Sequence, residues 1–169
     1  MTDGLSCTSE MPLAWQPASL EENERQRMMR EAALLLNALN QTESSHDLES
    51  SGADNRRFER LEAKLDLVLH LLARTLEPGA SPTLRNVTLS PLAVEWNDEH
   101  LPIAGTPLIL ELRPSEHLPL TLRLPAVAQN SLPGLARASL VKLPEALDDA
   151  LHQFVFRRHR QAIRLRAGG

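Results

Sequence analysis

The apolar spacing of the chain changes near Leu84 from a repeat of three and four residues to strict alternation, and returns to the first repeat from about Pro144. A helix brings residues three and four apart onto one face, whereas a strand lines one face with every second residue, so no single segment satisfies both patterns. The chain must therefore join a helical part to a β-rich part. Its charge changes at the same place: residues 1–83 hold 8 basic and 14 acidic side chains, and residues 84–169 hold 10 and 8. A total of 169 residues fits one domain with a helical appendage. The second part is only weakly basic, too little for a general nucleic-acid binder, so no DNA partner is expected.

Residues 1–18 contain Gly4, Pro12 and Pro17, with Trp15 as the only large anchor, and read as an extended arm. Ser19 and Glu22 have capping-box spacing and open a helix over 20–41, with Met28, Ala32, Leu35 and Leu39 as its apolar stripe. Met29 and Leu36 widen that stripe. Residues 42–52 read as a flexible connection rich in Ser and Glu. A second helix over 54–77 carries Phe58, Leu61, Leu65, Val68 and Leu72 in an unbroken 3-4-3-4 rhythm. So broad a leucine face has to be buried, and association of several copies is the simplest way to do it; packing of the two helices on each other within one chain is the alternative.

From Leu84 onward short alternating segments follow each other closely: Asn86–Ser90, Leu92–Trp96, Leu108–Leu112, Leu118–Ala128 and Leu135–Leu143. Pro119 and Pro125 push the fourth of these toward an edge or a bend. Such spacing predicts an antiparallel barrel or sandwich, and Glu95 and Glu111 are expected to point to water from it. A last helix over 144–165 buries Leu147, Leu151, Phe154, Val155 and Ala162. The order helix, helix, strands, helix gives an α+β fold. Its expected parts are an arm, first helix and linker over 1–53, a heptad oligomerisation helix over 54–79, and a β-domain with its C-terminal helix over 80–169.

No phosphate-binding glycine loop, nucleophile elbow or nucleophile–base pair is present, and the six histidines lack metal-ligand spacing. The expectation is a non-enzymatic protein without metal or cofactor. A lone cysteine, Cys7, excludes an internal disulfide and suits a reducing cytoplasm. No apolar run could span a bilayer, and the N-terminus lacks the layout of a secretory signal. A cytoplasmic location is expected.

The strand Asn86-Val87-Thr88-Leu89-Ser90-Pro91-Leu92-Ala93-Val94-Glu95-Trp96 resembles the second motif region of PilZ domains, six-stranded barrels that bind the bacterial messenger cyclic di-GMP. The ending from Phe154 to Arg164 is similar to the helix that closes many PilZ domains. The segment Arg60-Leu61-Glu62-Ala63-Lys64-Leu65-Asp66-Leu67 resembles an atypical branch in which N-terminal heptad helices assemble a tetramer. The resemblance spans roughly residues 20–166 and implies a six-stranded barrel, a homotetramer and cyclic di-GMP signalling. Motility, pili, biofilm or virulence is the implied context, and motility or pilus regulatory proteins are possible partners.

The family pattern Asp/Asn-x-Ser-x-x-Gly falls on Thr88, Ser90 and Ala93, so only the serine is kept. A threonine hydroxyl serves guanine's N–H donors less completely than a carboxylate or amide, and the Ala93 methyl obstructs the close backbone approach that glycine allows. The family's second motif, Arg-x-x-x-Arg before the barrel, leaves only Arg85 between Pro78 and Asn86. A literal copy, Arg56 and Arg60, falls inside the heptad helix, where it reads as a solvated face. Arg85, Thr88, Ser90 and Ala93 are therefore the candidate ligand residues of a degenerate motif. Arg157, Arg160 and Arg164 share a face of the last helix. They are either a phosphate or acidic-partner patch or ordinary cations at a helix C-terminus. Three functions follow: a cyclic di-GMP receptor with an altered site, a ligand-independent adaptor, or a structural coiled-coil scaffold.

Overall fold

In the computed structural model the described residues are 4–44, 53–74, 82–116, 118 and 120–168. They form a closed six-stranded antiparallel barrel with three helices. The strands are β1 (Cys7–Pro17), β2 (Thr83–Leu89), β3 (Ala93–Asn97), β4 (Pro107–Leu112), β5 (Leu122–Ala128) and β6 (Leu135–Leu140). The helices are α1 (Glu22–Ser44), α2 (Ala53–Arg74) and α3 (Glu145–Ala167). Around the barrel the order is β1-β2-β3-β6-β5-β4, closed by pairing of β1 with β4.

The expected N-terminal arm is in fact a barrel strand. Residues 7–13 of β1 pair with β2, and residues 13–17 pair with β4. Pro12 is tolerated because it precedes the residue at which the strand changes partner, so its missing N–H is not needed, while its carbonyl accepts from the Arg113 N–H at 3.0 Å. Pro17 occupies the final rung. The barrel therefore takes one strand from before the α1–α2 segment and five from after it, and the expected division at residues 53 and 79 does not separate it from the N-terminal part.

Alternation places Leu13, Val87, Leu89, Val94, Trp96, Leu108, Leu110, Leu112, Leu122 and Leu124 in the barrel core, each at most 1% exposed. Helix α1 lies outside the barrel against β5 through its expected stripe, with Met28, Ala32, Leu35 and Leu39 buried. Strand β4 is buried on both faces, so Glu111 is not the water-facing residue expected. It is buried and pairs across the strand with Arg123 at 3.3 Å. Glu95 stays half-buried and pairs with Arg137 at 3.4 Å. Helix α3 buries Leu147, Ala150, Leu151, Phe154 and Val155 over one end of the barrel, whereas the expected core residue Ala162 is only half-buried.

Helix α2 turns Leu67 into the core and leaves Leu61, Leu65 and Val68 at 61%, 59% and 50% exposure. These three are the middle of the expected heptad seam. The side chains of Phe58 and Leu72, its outer members, lie outside the described residues, as do residues 75–79 and most of the expected connection after α1. No helix among the described residues is long and apolar enough to cross a membrane.

Candidate functional site

Along β2 the side chains of Val87 and Leu89 point into the barrel, with Arg85 following the same parity at its rim, while Leu84, Asn86 and Thr88 face out. The four candidate ligand residues are thereby dispersed. Thr88 sits on the outer wall, its hydroxyl 2.9 Å from that of Thr8 on β1, with Glu95 opposite on β3. Ser90 and Ala93 frame the β2–β3 turn. The Ser90 N–H donates to the Ala93 carbonyl at 2.9 Å, and the Ser90 hydroxyl accepts from the Ala93 N–H at 2.9 Å and donates to its carbonyl at 3.0 Å. Arg85 lies five residues from Ser90, about 16 Å along the strand. It belongs to the opposite end of the barrel.

There Arg85 is held by three groups. Its Nε donates to the Leu13 carbonyl at 3.2 Å, and its Nη1 donates to the Asn97 carbonyl at 2.9 Å and pairs with Asp98 Oδ2 at 3.0 Å. Asp98 is the hub of this end, buried to 8% exposure. Its Oδ2 accepts from the indole N–H groups of Trp15 at 2.7 Å and Trp96 at 3.3 Å, and its Oδ1 accepts from the His100 backbone N–H at 3.0 Å. Burial alone would raise its pKa. The Trp15, His100 and Trp96 donors and the Arg85 charge together outweigh that cost and hold the carboxyl below the ordinary aspartate value. The cluster floors an open cleft of about 610 Å³ whose rim includes Leu84, Glu99, His100 and Gly134. The sequence signal for this hub is a carboxylate two residues after the tryptophan of an alternating strand.

The candidate arginines of α3 also divide. Arg157 faces α1: its Nη1 donates to the Asn40 carbonyl at 2.6 Å, and its Nη2 donates to Asn40 Oδ1 at 2.8 Å and pairs with Glu43 at 2.9 Å. Arg158 joins the same clasp through Glu43 at 3.0 Å and the Pro114 carbonyl at 2.8 Å. Asn40 completes it by donating to the Ala150 carbonyl at 2.9 Å. This clasp fixes the end of α1 against α3. Asn40, a polar residue in line with Leu36, was its one sequence signal. Arg160 instead lies over the Phe156 ring, 5.6 Å from its centroid, and Arg164 is exposed.

The described residues contain no group of three or more His, Cys, Asp or Glu side chains able to hold a metal ion. Cys7 is buried beneath α3. Burial pushes its thiol up to about 11, against smaller lowering by Arg158 and a backbone hydrogen bond at Leu89, so it is a poor nucleophile.

Comparison with known proteins finds a family and similar solved structures. Residues 34–166 match a family described as the atypical PilZ domain, cyclic di-GMP receptor. The crystal structure of a pathogenic protein from Xanthomonas campestris is 28% identical, with a TM-score of 0.73 over 96% of this chain and 92% of that one. That protein is described as a tetrameric PilZ domain self-assembled through an unusual helical bundle. No protein of curated function matches the sequence.

Proposed function

Because this chain belongs to the atypical PilZ family of cyclic di-GMP receptors, we propose that it serves bacterial cyclic di-GMP signalling by binding rather than catalysis, as an oligomer whose own ligand motif is degenerate. The observation that carries this reading is the way the motif positions are used. Ser90 and Ala93 satisfy each other across a turn, and Arg85 is committed to Asp98 at the far end of the barrel. A guanine base needs a carboxylate or amide for its N–H donors and a guanidinium for its acceptor edge, both within one contact shell. Thr88 and Arg85 lie three residues apart on opposite faces of β2, and their side chains cannot close on one ligand. The protein then acts through contacts with other proteins, and motility or pilus regulators in the cytoplasm are the partners to test.

Oligomerisation is assigned to α2. Leu61, Leu65 and Val68 form an exposed stripe, and burying the exposed part of each in a helical bundle contributes on the order of 1 kcal/mol. The similar Xanthomonas protein, a tetramer held by a helical bundle, supports the same arrangement here. A structural scaffold remains the second reading, favoured by that same stripe.

Calorimetric titration of full-length protein with cyclic di-GMP at near-physiological salt tests the ligand assignment. No saturable heat is expected, and micromolar or tighter binding would overturn it. Sedimentation of a Leu61→Ser/Leu65→Ser/Val68→Ser variant tests the oligomer: a smaller species with an unchanged β-barrel signature is expected, and an unchanged size removes α2 from the interface. Deleting α2 while keeping the barrel separates adaptor from scaffold, since a scaffold loses all function with its helix.

A further inference from the structure

The free end of α3 has a chemistry that the proposed function does not use. Past His159, whose Nδ1 lies 2.9 Å from the Ser6 carbonyl, the helix leaves the barrel, and from Gln161 to Ala167 every residue except Ala162 is exposed. Those seven residues run about 10 Å. Ile163 is 52% exposed and Leu165 81%, and Phe156, seven residues before Ile163 on the same side, is 51% exposed. Leu165 lies on the opposite side, two residues from Ile163. Residues 150–169 hold five arginines and two histidines and no side-chain carboxylate, the last being Asp149. Arg157 and Arg158 are taken by the clasp with α1, whereas Arg160, Arg164 and Arg166 make no ion pair with any described residue.

We propose that this end of α3, through Arg160, Ile163, Arg164, Leu165 and Arg166, docks on an anionic lipid surface. A terminal helical turn without a buried face gains nothing from packing inside its own fold. Entering end-on, a helix end with aliphatic side chains on both sides and cations between them has every side in the headgroup layer, which takes apolar groups at its acyl boundary and offers phosphates to guanidinium groups. A nucleic acid would make no use of Ile163 and Leu165, and the one aromatic nearby, Phe156, is already covered by Arg160. An acidic protein surface would match one side of the helix and leave the other apolar residue in water. The whole chain carries a net charge of −4, so attraction to an anionic surface has to come from a local patch.

Each arginine at such a surface strengthens attachment about fivefold, which makes a single helix end a weak anchor. Several ends held together multiply the effect through effective concentration. That strengthening rests on the oligomer proposed above; the patch itself does not.

Co-sedimentation of full-length protein with vesicles of phosphatidylcholine, with and without about 30% phosphatidylserine, tests the assignment. Binding only to the anionic vesicles is expected, weakening as salt rises. Arg160→Gln/Arg164→Gln/Arg166→Gln should lower it on the order of a hundredfold, and Ile163→Ser/Leu165→Ser should remove what survives at high salt. A charge-matched control, Arg27→Gln/Arg30→Gln/Arg113→Gln, changes exposed arginines elsewhere and should bind as wild type. No binding to anionic vesicles, or equal loss in the control, would falsify the proposal, as would a mobility shift on nucleic acid that persists where vesicle binding fails. Sedimentation of the same sample keeps the two proposals apart. A monomer that still binds anionic vesicles leaves the docking assignment standing and removes the oligomer.

Discussion

The two ends of the barrel are closed by different physics. At one, α3 lays Leu147, Leu151, Phe154 and Val155 across the opening, and the seal is the removal of apolar surface from water. At the other no helix is present among the described residues, and the opening is pinned by one carboxylate, Asp98, that accepts from Trp15, Trp96 and His100 and pairs with Arg85. An apolar seal is non-directional and tolerates small shifts. A carboxylate with its four donors is directional and has no partial form that is cheap, because each donor left unpaired carries its own desolvation cost. The candidate ligand positions are split between these ends, Ser90 and Ala93 at the helix-covered one and Arg85 at the pinned one.

The helix-covered end should suffer most from a cavity. Phe154→Ala is expected to cost about 3–5 kcal/mol, measured by urea unfolding. It should also speed labelling of Cys7 by a thiol reagent, since that thiol lies under α3. Intact stability with Cys7 still protected would show that α3 is not the seal. At the pinned end Asp98→Asn, nearly the same in shape, should cost about 2–3 kcal/mol because one acceptor becomes a donor facing indole N–H groups and a guanidinium. This difference should depend on pH. The folded-state pKa of Asp98 is lowered, so its stabilisation is present above the unfolded aspartate value and is lost as pH falls through the lower folded value. The gap in thermal stability between wild type and variant should therefore be full at neutral pH and narrow in strong acid. A gap that widens in acid would contradict the hydrogen-bonded carboxylate.

The same contrast decides what the sequence made legible. Period gave the helices and the leucine-rich strands, because burial follows spacing: Met28, Ala32, Leu35 and Leu39 on α1 and Leu108, Leu110 and Leu112 on β4 are all buried as their pattern implies. Strand β1 was hidden by Pro12 and Pro17, whose cost depends on which neighbour each residue must bond, and spacing carries no information about neighbours. Glu111 was misjudged for a related reason. Alternation puts it on the outer face, but that face is buried in the fold, where Glu111 pairs with Arg123. The Asp98 hub joins residues 83 apart in sequence, Trp15 and Asp98, and no local pattern announces such a meeting.

A smaller effect should separate the clasp from both ends. Glu43 pairs with Arg157 and Arg158 where α1 meets α3, and its side chain is only partly shielded from water. Glu43→Gln is expected to cost about 1 kcal/mol, seen in urea unfolding, with Cys7 protection unchanged. If the loss matched that of Phe154→Ala, the clasp and the apolar seal would be one cooperative unit.

The smallest effect bears most directly on function. In a ligand-binding role Ser90 would offer its hydroxyl outward, and Ser90→Ala would leave stability untouched while abolishing nucleotide binding. In the turn described here the hydroxyl is engaged at both its donor and its acceptor by Ala93. Ser90→Ala should then cost about 0.5–1.5 kcal/mol and leave the calorimetric trace with cyclic di-GMP as flat as in wild type. The complementary variant, Thr88→Asp/Ala93→Gly, restores the family residues on the helix-covered end only. It should still fail to bind, because Arg85 remains about 16 Å from Ser90 along β2, on the face opposite Thr88 and fastened to Asp98. Binding gained by that variant would mean that arginines from elsewhere, such as those of α3, can complete the site, and that the separation of the two ends is no barrier to recognition.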